Sequence, residues 1–589
     1  MRLKQTRQKN GRVHLAIVQN YRRPEDGRTT SRTVKSIGYL DELEGRFDDP
    51  VAHFKALAEQ MTAEHDAATA PVTVEIHPAE KVDKRKENRR NVGSAVAKRV
   101  YDALGVEKAL RNASDKMQVS YDLSAVMRLL VVHRLIEPGS KHAAWEARGR
   151  HFLRSSFSDD DMYHALGRIW EAHNAIVSAI NRNVERRWGR DCSNVFYDVT
   201  NYWFERDPDD GPGGLLKKGV SKEHRPEPIM QMGLLQDADA VPISYRLHPG
   251  NTADCDTMLP ALADMKRDLS MDSVTAVADK GLNCSANMAA LVAGGDHFVF
   301  SQSVRGTKSA DAVRRRALDP EGYATVADAD GDPTFKRKSW QGFKTVHLKA
   351  GETASGRAED VDIEVKFVAF WSRKYERRAR AQREKVLEKS RQLVASPGRY
   401  TRATHLGAAR YVKGVVFDGE TGEVCVTGTK PELDHDAIAA DEACDGFYLI
   451  VTSHTDWDDG RIIDTYRGLW QIEESFKVTK SELETRPVWV WTPEHVQAHF
   501  LTCYVALVIV RILQKLHPDR PSAGAILGEL RSVECSADEG NWWLFDHRSD
   551  LSEELFSLVG LEHPLKHMRT GDIRKMFDKD DSWAPARKD

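Results

Sequence analysis

The chain has 589 residues, with 86 Lys and Arg against 89 Asp and Glu and a formal net charge of −3. That length allows several hydrophobic cores, about four at roughly 150 residues per domain, and the near-balanced charge says nothing by itself about nucleic acid. Seven cysteines without a CxxC or Cys/His ligand spacing argue against structural zinc and against a disulfide framework, which fits a reducing cytoplasm.

Charge is unevenly spread. Residues 1–40 are rich in Lys and Arg and hold two acids, Glu25 and Asp26, while the stretch from Ser372 to Arg391 is densely basic; such patches can track phosphates. The opening MRLKQTRQKNGR has no apolar core of signal-peptide length. Residues 12–22 and 28–38 alternate apolar with polar or basic residues around Pro24-Glu25-Asp26-Gly27, a hairpin signal. A small β-rich basic domain is expected over 1–65, either lying along DNA or simply solvated. Residues 66–92 lack periodicity and end in KVDKRKENRR, so they read as a linker.

From 93 to 190 the periodicity is helical. Gly105 is a helix stop, Leu123–Ile136 an apolar-faced helix, and Ser158-Asp159-Asp160-Asp161 a helix start. This region is expected to be an α bundle, with DNA binding as one use of it.

The run NVFYDVTNYWFE alternates aromatic and β-branched residues and reads as a strand whose Phe196/Thr200 face is interrupted by Asp198. A Gly/Pro-rich loop follows, carrying Lys217, Lys218, Lys222 and Arg225. Met230–Leu235 and Val241–Leu247 read as hairpin strands, followed by a helix near Thr257–Asp268. In SVTAVADKGLNC a short apolar run ends in Asp279, at a strand exit; a helix near Ser285–Val292 and a strand His297–Ser301 come next. Three meandering strands followed by alternating helix and strand predict a mixed α/β sheet over 191–304.

Residues 305–445 hold too much regular pattern for a loop, including a basic helix Ser372–Leu393 and β-like runs Val361–Phe370 and Gly414–Val426; an inserted subdomain is expected. The chain returns through FYLIVTS, a buried strand, and 446–520 completes the core, with 521–589 left as a C-terminal region. The longest apolar run, Phe500–Leu513, contains Thr502 and Arg511 and is short of the ~20 residues a bilayer needs, so it reads as a buried helix.

Asp464–Arg486 reads as one long amphipathic helix. Leu469, Ile472, Phe476 and Leu483 form its apolar stripe, with Tyr466, Glu473, Lys477 and Lys480 on the flank. Glu473 and Lys477 at i, i+4 are also what a plain surface ion pair looks like. Three acids on rigid elements, Asp198, Asp279 and Glu473, nonetheless suggest a divalent-metal site of hard oxygen ligands.

These stretches resemble the bacterial insertion-sequence transposases of the DDE type, in particular the insertion-sequence-four superfamily with its Tyr-x2-Arg-x3-Glu-x6-Lys signature. Tyr466, Glu473 and Lys480 fall on that pattern; Leu469 occupies the Arg position, with Arg467 close by. The resemblance implies a ribonuclease H-like catalytic core with a large insertion. It also implies Mg²⁺ or Mn²⁺, two ions, held by Asp198 bridging both, Asp279 and Glu473, with Tyr466, Arg467, Lys477 and Lys480 on DNA. The partners it implies are double-stranded DNA, as terminal inverted repeats and target, and a second copy of the chain in the DNA complex, in the bacterial cytoplasm and without a membrane. The alternatives are a ribonuclease H-like nuclease that cuts without joining and a non-catalytic protein that only binds terminal repeats.

Overall fold

The computed structural model describes residues 1–8, 11–22, 29–69, 79, 81–84, 86–115, 119–205, 209–211, 213–219, 227–305, 311–353, 356–396, 407–417, 424–426, 430–579 and 582–584. The turn Pro24–Gly27 and the loop residues Lys222 and Arg225 lie outside the described residues. Two compact units, Met1–Lys81 and Val82–Asp589, make up the chain.

In the first unit β1 (Arg2–Arg7), β2 (Val13–Arg22) and β3 (Thr29–Tyr39) form an antiparallel sheet in that order. Alternation puts Leu15 inward, where it meets Leu43 and Phe54, the latter from helix α1 (Pro50–Thr69). The β2–β3 pair was legible as a hairpin; β1, with its polar RLKQTR sequence, was not.

The second unit begins with a departure from expectation. Residues 89–91, at the end of the expected linker, form strand β4 (Arg89–Asn91). The strand is completed from far away, since Asn91 Nδ2 donates to the Leu530 carbonyl at 2.8 Å and the Val92 N–H to the Val533 carbonyl at 2.8 Å. Arg90 also sits over the Phe152 and Trp543 rings at 5.0 and 5.2 Å. Helices α2 (Ser94–Ala103), α3 (Val106–Ser114), α4 (Leu123–Ile136), α5 (Asp159–Glu171) and α6 (His173–Trp188) follow. Gly105 turns between α2 and α3 at φ 75, a left-handed conformation that favours glycine, and Ser158 closes a reciprocal cap with Asp161 at the start of α5.

Among the described residues the central sheet has nine strands. They are β5 (Asn194–Trp203), β6 (Ile229–Gln236), β7 (Pro242–Pro249), β8 (Thr275–Ala278), β9 (His297–Gln302), β10 (Ala324–Ala327), β11 (Pro333–Leu348), β12 (Glu359–Ser372) and β13 (Phe447–Thr452). Their spatial order is β10-β11-β12-β13-β9-β8-β5-β6-β7. The β5–β8 and β8–β9 pairs are parallel and the rest antiparallel. Part of the 305–445 interval therefore widens the core sheet, because β12 pairs with β13 through Lys366↔Thr452 to Trp371↔Phe447. The basic helix α9 (Arg373–Ala395) leaves directly from β12; α7 (Met258–Leu269) and α8 (Ser285–Ala293) precede it in the chain.

Alternation assigns the two faces of β5. Val195, Tyr197 and Val199 point to one core, shared with Met258, Leu262 and Met265 of α7 and Met288 and Leu291 of α8. Phe196 and Tyr202 point to the other, shared with the helical region. On that second face lie α10 (Asp459–Arg467), α11 (Trp470–Lys477) and α12 (Pro493–Leu516). α12 is long and apolar enough to cross a membrane, yet nearly all of it is buried among its neighbours; it is the core helix of this unit.

The single helix expected over Asp464–Arg486 is broken. α10 ends at Arg467, α11 runs Trp470–Lys477, and Val478–Glu482 is a π turn whose extra residue shows in the Leu483 N–H to Val478 carbonyl bond of 3.0 Å. The first break lies at Gly468, where a Cβ would stand 2.6 Å from the Phe196 ring, so any side chain there would have to displace that ring or the helix. The apolar stripe is as expected, with Leu469, Ile472, Phe476 and Leu483 all buried.

Candidate metal and DNA site on the central sheet

Register brings two of the acids together. Phe196 pairs with Val277 in the parallel β5–β8 ladder, so Asp198 and Asp279, each two residues on, fall side by side on the same face. Adjacent strands are about 4.8 Å apart. Ala278 pairs with Phe300, which makes Ser301 the next member of the row. Ser301 Oγ donates to Asp279 Oδ1 at 2.6 Å, and Tyr466 of α10 reaches the same oxygen with its hydroxyl at 3.4 Å. Burial first, and then the Asp279 carboxylate beside it, hold the Tyr466 phenol well above its usual range, so it stands there as a proton donor.

Asp198 lies between Phe196 and Thr200 on the face that α11 crosses. One end of the crossing is Gly468 over Phe196. At the other, the Tyr202 hydroxyl meets Thr479 Oγ1 at 2.8 Å, and Lys480 Nζ donates to Thr200 Oγ1 at 2.9 Å while sitting 5.4 Å from the Tyr202 ring centre. Glu473 stands between these anchors. It is exposed and its carboxylate has no hydrogen bond or ion pair among the described residues, and the surface pair with Lys477 does not form. From the opposite side the helix is fixed by Arg511 of α12, whose Nη2 donates to Ser475 Oγ at 2.7 Å and to the Gln471 carbonyl at 3.3 Å. Ser475 in turn donates to Gln236 Oε1 at 2.9 Å.

The remaining flank residues differ in setting. Lys477 is exposed, while Arg467 pairs with Asp464 at 3.3 Å and lies 5.6 Å from the Phe335 ring centre. Lys217 is tied to its own loop through the Gly211 carbonyl at 2.8 Å. Leu469, in the Arg position of the signature, is a core residue, so no guanidinium projects from that position.

Among the described residues no three acidic, histidine or cysteine side chains converge to metal-ligand distance. The three acids that the sequence points to, Asp198, Asp279 and Glu473, do fit a divalent ion in chemistry. They are carboxylates without sulfur or imidazole, the type of group a hard divalent cation prefers, and Asp279 is already oriented by Ser301.

Ser301, Thr200 and Asn283 are site residues that the sequence did not single out. Asn283 Nδ2 donates to the Ser301 carbonyl at 2.7 Å and so fixes the loop after Asp279. Ser301 left a signal: it is a polar residue in the apolar run FVFS, at a position the strand alternation gives to the Asp279 face.

Two family models match the chain. The N-terminal domain of the IS1634 family transposases covers residues 1–72, and the transposase DDE domain covers residues 217–509. The chain carries the domains of an insertion-sequence DDE transposase. The transposase DDE domain implies a ribonuclease H-like α/β core, in keeping with the large mixed sheet, and divalent metal ions and DNA are consistent with that family. No curated protein matches the chain.

Proposed function

We propose that this transposase binds the terminal inverted repeats of its element and catalyses metal-dependent DNA cleavage and strand transfer, in the manner of the insertion-sequence-four superfamily. The observation that carries the reading is the row Asp198, Asp279, Ser301 on adjacent parallel strands, with Tyr466 reaching Asp279 from the helix pair that bears Glu473.

Asp198, Asp279 and Glu473 would hold two Mg²⁺ or Mn²⁺ ions. When bound, such ions supply an activated water or 3′-hydroxyl on one side of a phosphodiester and charge stabilisation of the leaving oxygen on the other. The protein's own part is orientation. Ser301 and Tyr466 fix the Asp279 carboxylate, Arg511 and Gly468 fix the helix under Glu473, and Lys480, anchored on Thr200, holds a positive charge on the Asp198 face where a scissile phosphate has to lie. Arg467, as a planar fork, and Lys477, as a point charge, are exposed and suited to phosphates of the flanking backbone. The protein acts in the bacterial cytoplasm on double-stranded DNA, as a homodimer on paired ends.

A strand-transfer assay with labelled terminal-repeat oligonucleotides and Mg²⁺ tests this. Asp198→Asn, Asp279→Asn and Glu473→Gln keep shape but weaken hard-cation coordination; each should abolish nicking and joining while leaving end binding and folding intact. Nicked products that are never joined would make the protein a nuclease. Near wild-type cleavage by any one variant would remove that residue from the site.

A further inference from the structure

The basic helix α9 takes no part in the site described above. Its buried side, with Arg383, Leu387, Ser390 and Leu393, packs inward. Opposite lie Lys374, Arg378, Lys385 and Lys389, which at 100° per residue fall within about 60° of one another and span ~22 Å. All four are exposed, and none has an ion pair among the described residues. Four other arginines of the helix are engaged instead: Arg373 with Asp328 at 2.6 Å, Arg380 with Glu376 at 2.6 Å, Arg391 with Glu384 at 2.9 Å, and Arg383 with Asp445. Those pairs also take up Glu376 and Glu384, and Glu388 faces Arg391 at 3.3 Å. A surface helix whose acids are all taken up while four aligned cations remain unpaired is built to meet an anion outside the protein.

A second observation gives the stripe a direction. Tyr375, in the first turn of α9, lies against Tyr448 of β13 with ring centres 4.9 Å apart, and Tyr448 stacks on Phe370 of β12 at 5.4 Å. By alternation Tyr448 shares its face with Ile450, the face that also carries Asp198 and Asp279. Ile450 pairs with Ser301 of β9, the residue whose hydroxyl donates to Asp279. Tyr448 lies two residues before Ile450 on β13, and Tyr375 of α9 packs on it, so the cationic stripe starts beside the candidate site and runs away from it.

We propose that Lys374, Arg378, Lys385 and Lys389 form a backbone track for double-stranded DNA leaving the site, touching phosphates without reading bases. The inference rests on the reading of the site as one that acts on DNA. Lysines presented as flexible point charges along one helix face suit phosphates better than base edges, and ~22 Å corresponds to about six base steps at 3.4 Å per step.

The test compares the full-length protein with a variant carrying Lys374→Ala, Arg378→Ala, Lys385→Ala and Lys389→Ala. Affinity is measured across a salt series, without divalent metal, for a terminal-repeat duplex and for an unrelated duplex of equal length. Both affinities should fall together, and the slope of log K against log salt should drop by roughly 3–4, at about 0.9 for each phosphate no longer neutralised. Lys374→Arg, Lys385→Arg and Lys389→Arg together should keep the wild-type slope. An unchanged slope, or a loss confined to the terminal-repeat duplex, overturns the track. Because binding is read without metal, failure of cleavage in the strand-transfer assay would sink the proposed function and leave this result standing.

Discussion

Ser301 and Asp279 stand at equivalent places on two neighbouring parallel strands, and the Ser301 hydroxyl donates to Asp279 Oδ1 at 2.6 Å. A carboxylate at a strand exit would otherwise turn freely; this bond selects the orientation in which its second oxygen is available. Groups that orient metal ligands are typically worth about 10–100-fold in metal affinity or activity. Ser301→Ala should accordingly lower cleavage by about 10–100-fold at limiting Mg²⁺, with recovery as Mg²⁺ is raised. A Mg²⁺ titration curve that superimposes on the wild type would dissociate Ser301 from the metal.

Lys480 is a candidate phosphate clamp whose ammonium is fixed near Asp198 by Thr200. Lys480→Ala should weaken binding to all DNA ends alike and reduce the salt slope by about 1. Loss of sequence discrimination at an unaltered slope would mean that this side chain reads bases.

Gly468 marks the closest approach of the helix pair to the sheet, with Phe196 ring atoms 2.6 and 2.7 Å from where a Cβ would be. Gly468→Ala forces either the buried ring or the helix to move, at a cost of about 1–3 kcal/mol. Urea unfolding should register that loss, and cleavage should fall further than stability alone explains because Glu473 rides on the displaced helix. Wild-type stability and activity in this variant would show that the ring gives way freely.

Lys141 is buried and donates to His499 Nδ1 at 2.8 Å, while His499 Nε2 donates to the Thr485 carbonyl at 2.9 Å. Burial first, and then the charge of Arg134, bring Lys141 down from 10.5 to about 7. Between those values the unfolded chain binds a proton that the folded chain does not. Stability therefore rises with pH across that window, by up to about 1.4 kcal/mol per pH unit, and is lost as pH falls toward about 7. Lys141→Met should remove this slope, so its advantage over the wild type, or its deficit, should shift against the variant between about pH 7 and pH 9. Parallel stability curves would show that Lys141 keeps its proton inside the fold.

The residues that announce themselves by breaking a pattern were legible in the sequence. Asp198 interrupts an alternating strand, Asp279 ends an apolar run, and Arg511 breaks the apolar run Phe500–Leu513; the structure pairs Asp279 with Ser301 and Arg511 with Ser475 and Gln471. What sequence spacing could not supply was proximity between distant segments. The helix break at Gly468 depends on Phe196, and β4 depends on residues more than four hundred positions away. The π turn has no compositional mark of its own, because VTKSE is an ordinary helical sequence until Thr479 and Lys480 are drawn to Tyr202 and Thr200.

The pairing of β4 with the far end of its unit also constrains how the molecule comes into being. Asn91 must wait for Leu530, 439 positions later in the chain. At about 5–20 residues per second of synthesis, that is roughly 20 to 90 seconds during which the helical region has emerged without the segment that closes it. Closure of the unit thereby waits for residues 530–533 to emerge: a nascent chain that already contains Asp198, Asp279 and Glu473 still lacks the partner that secures β4.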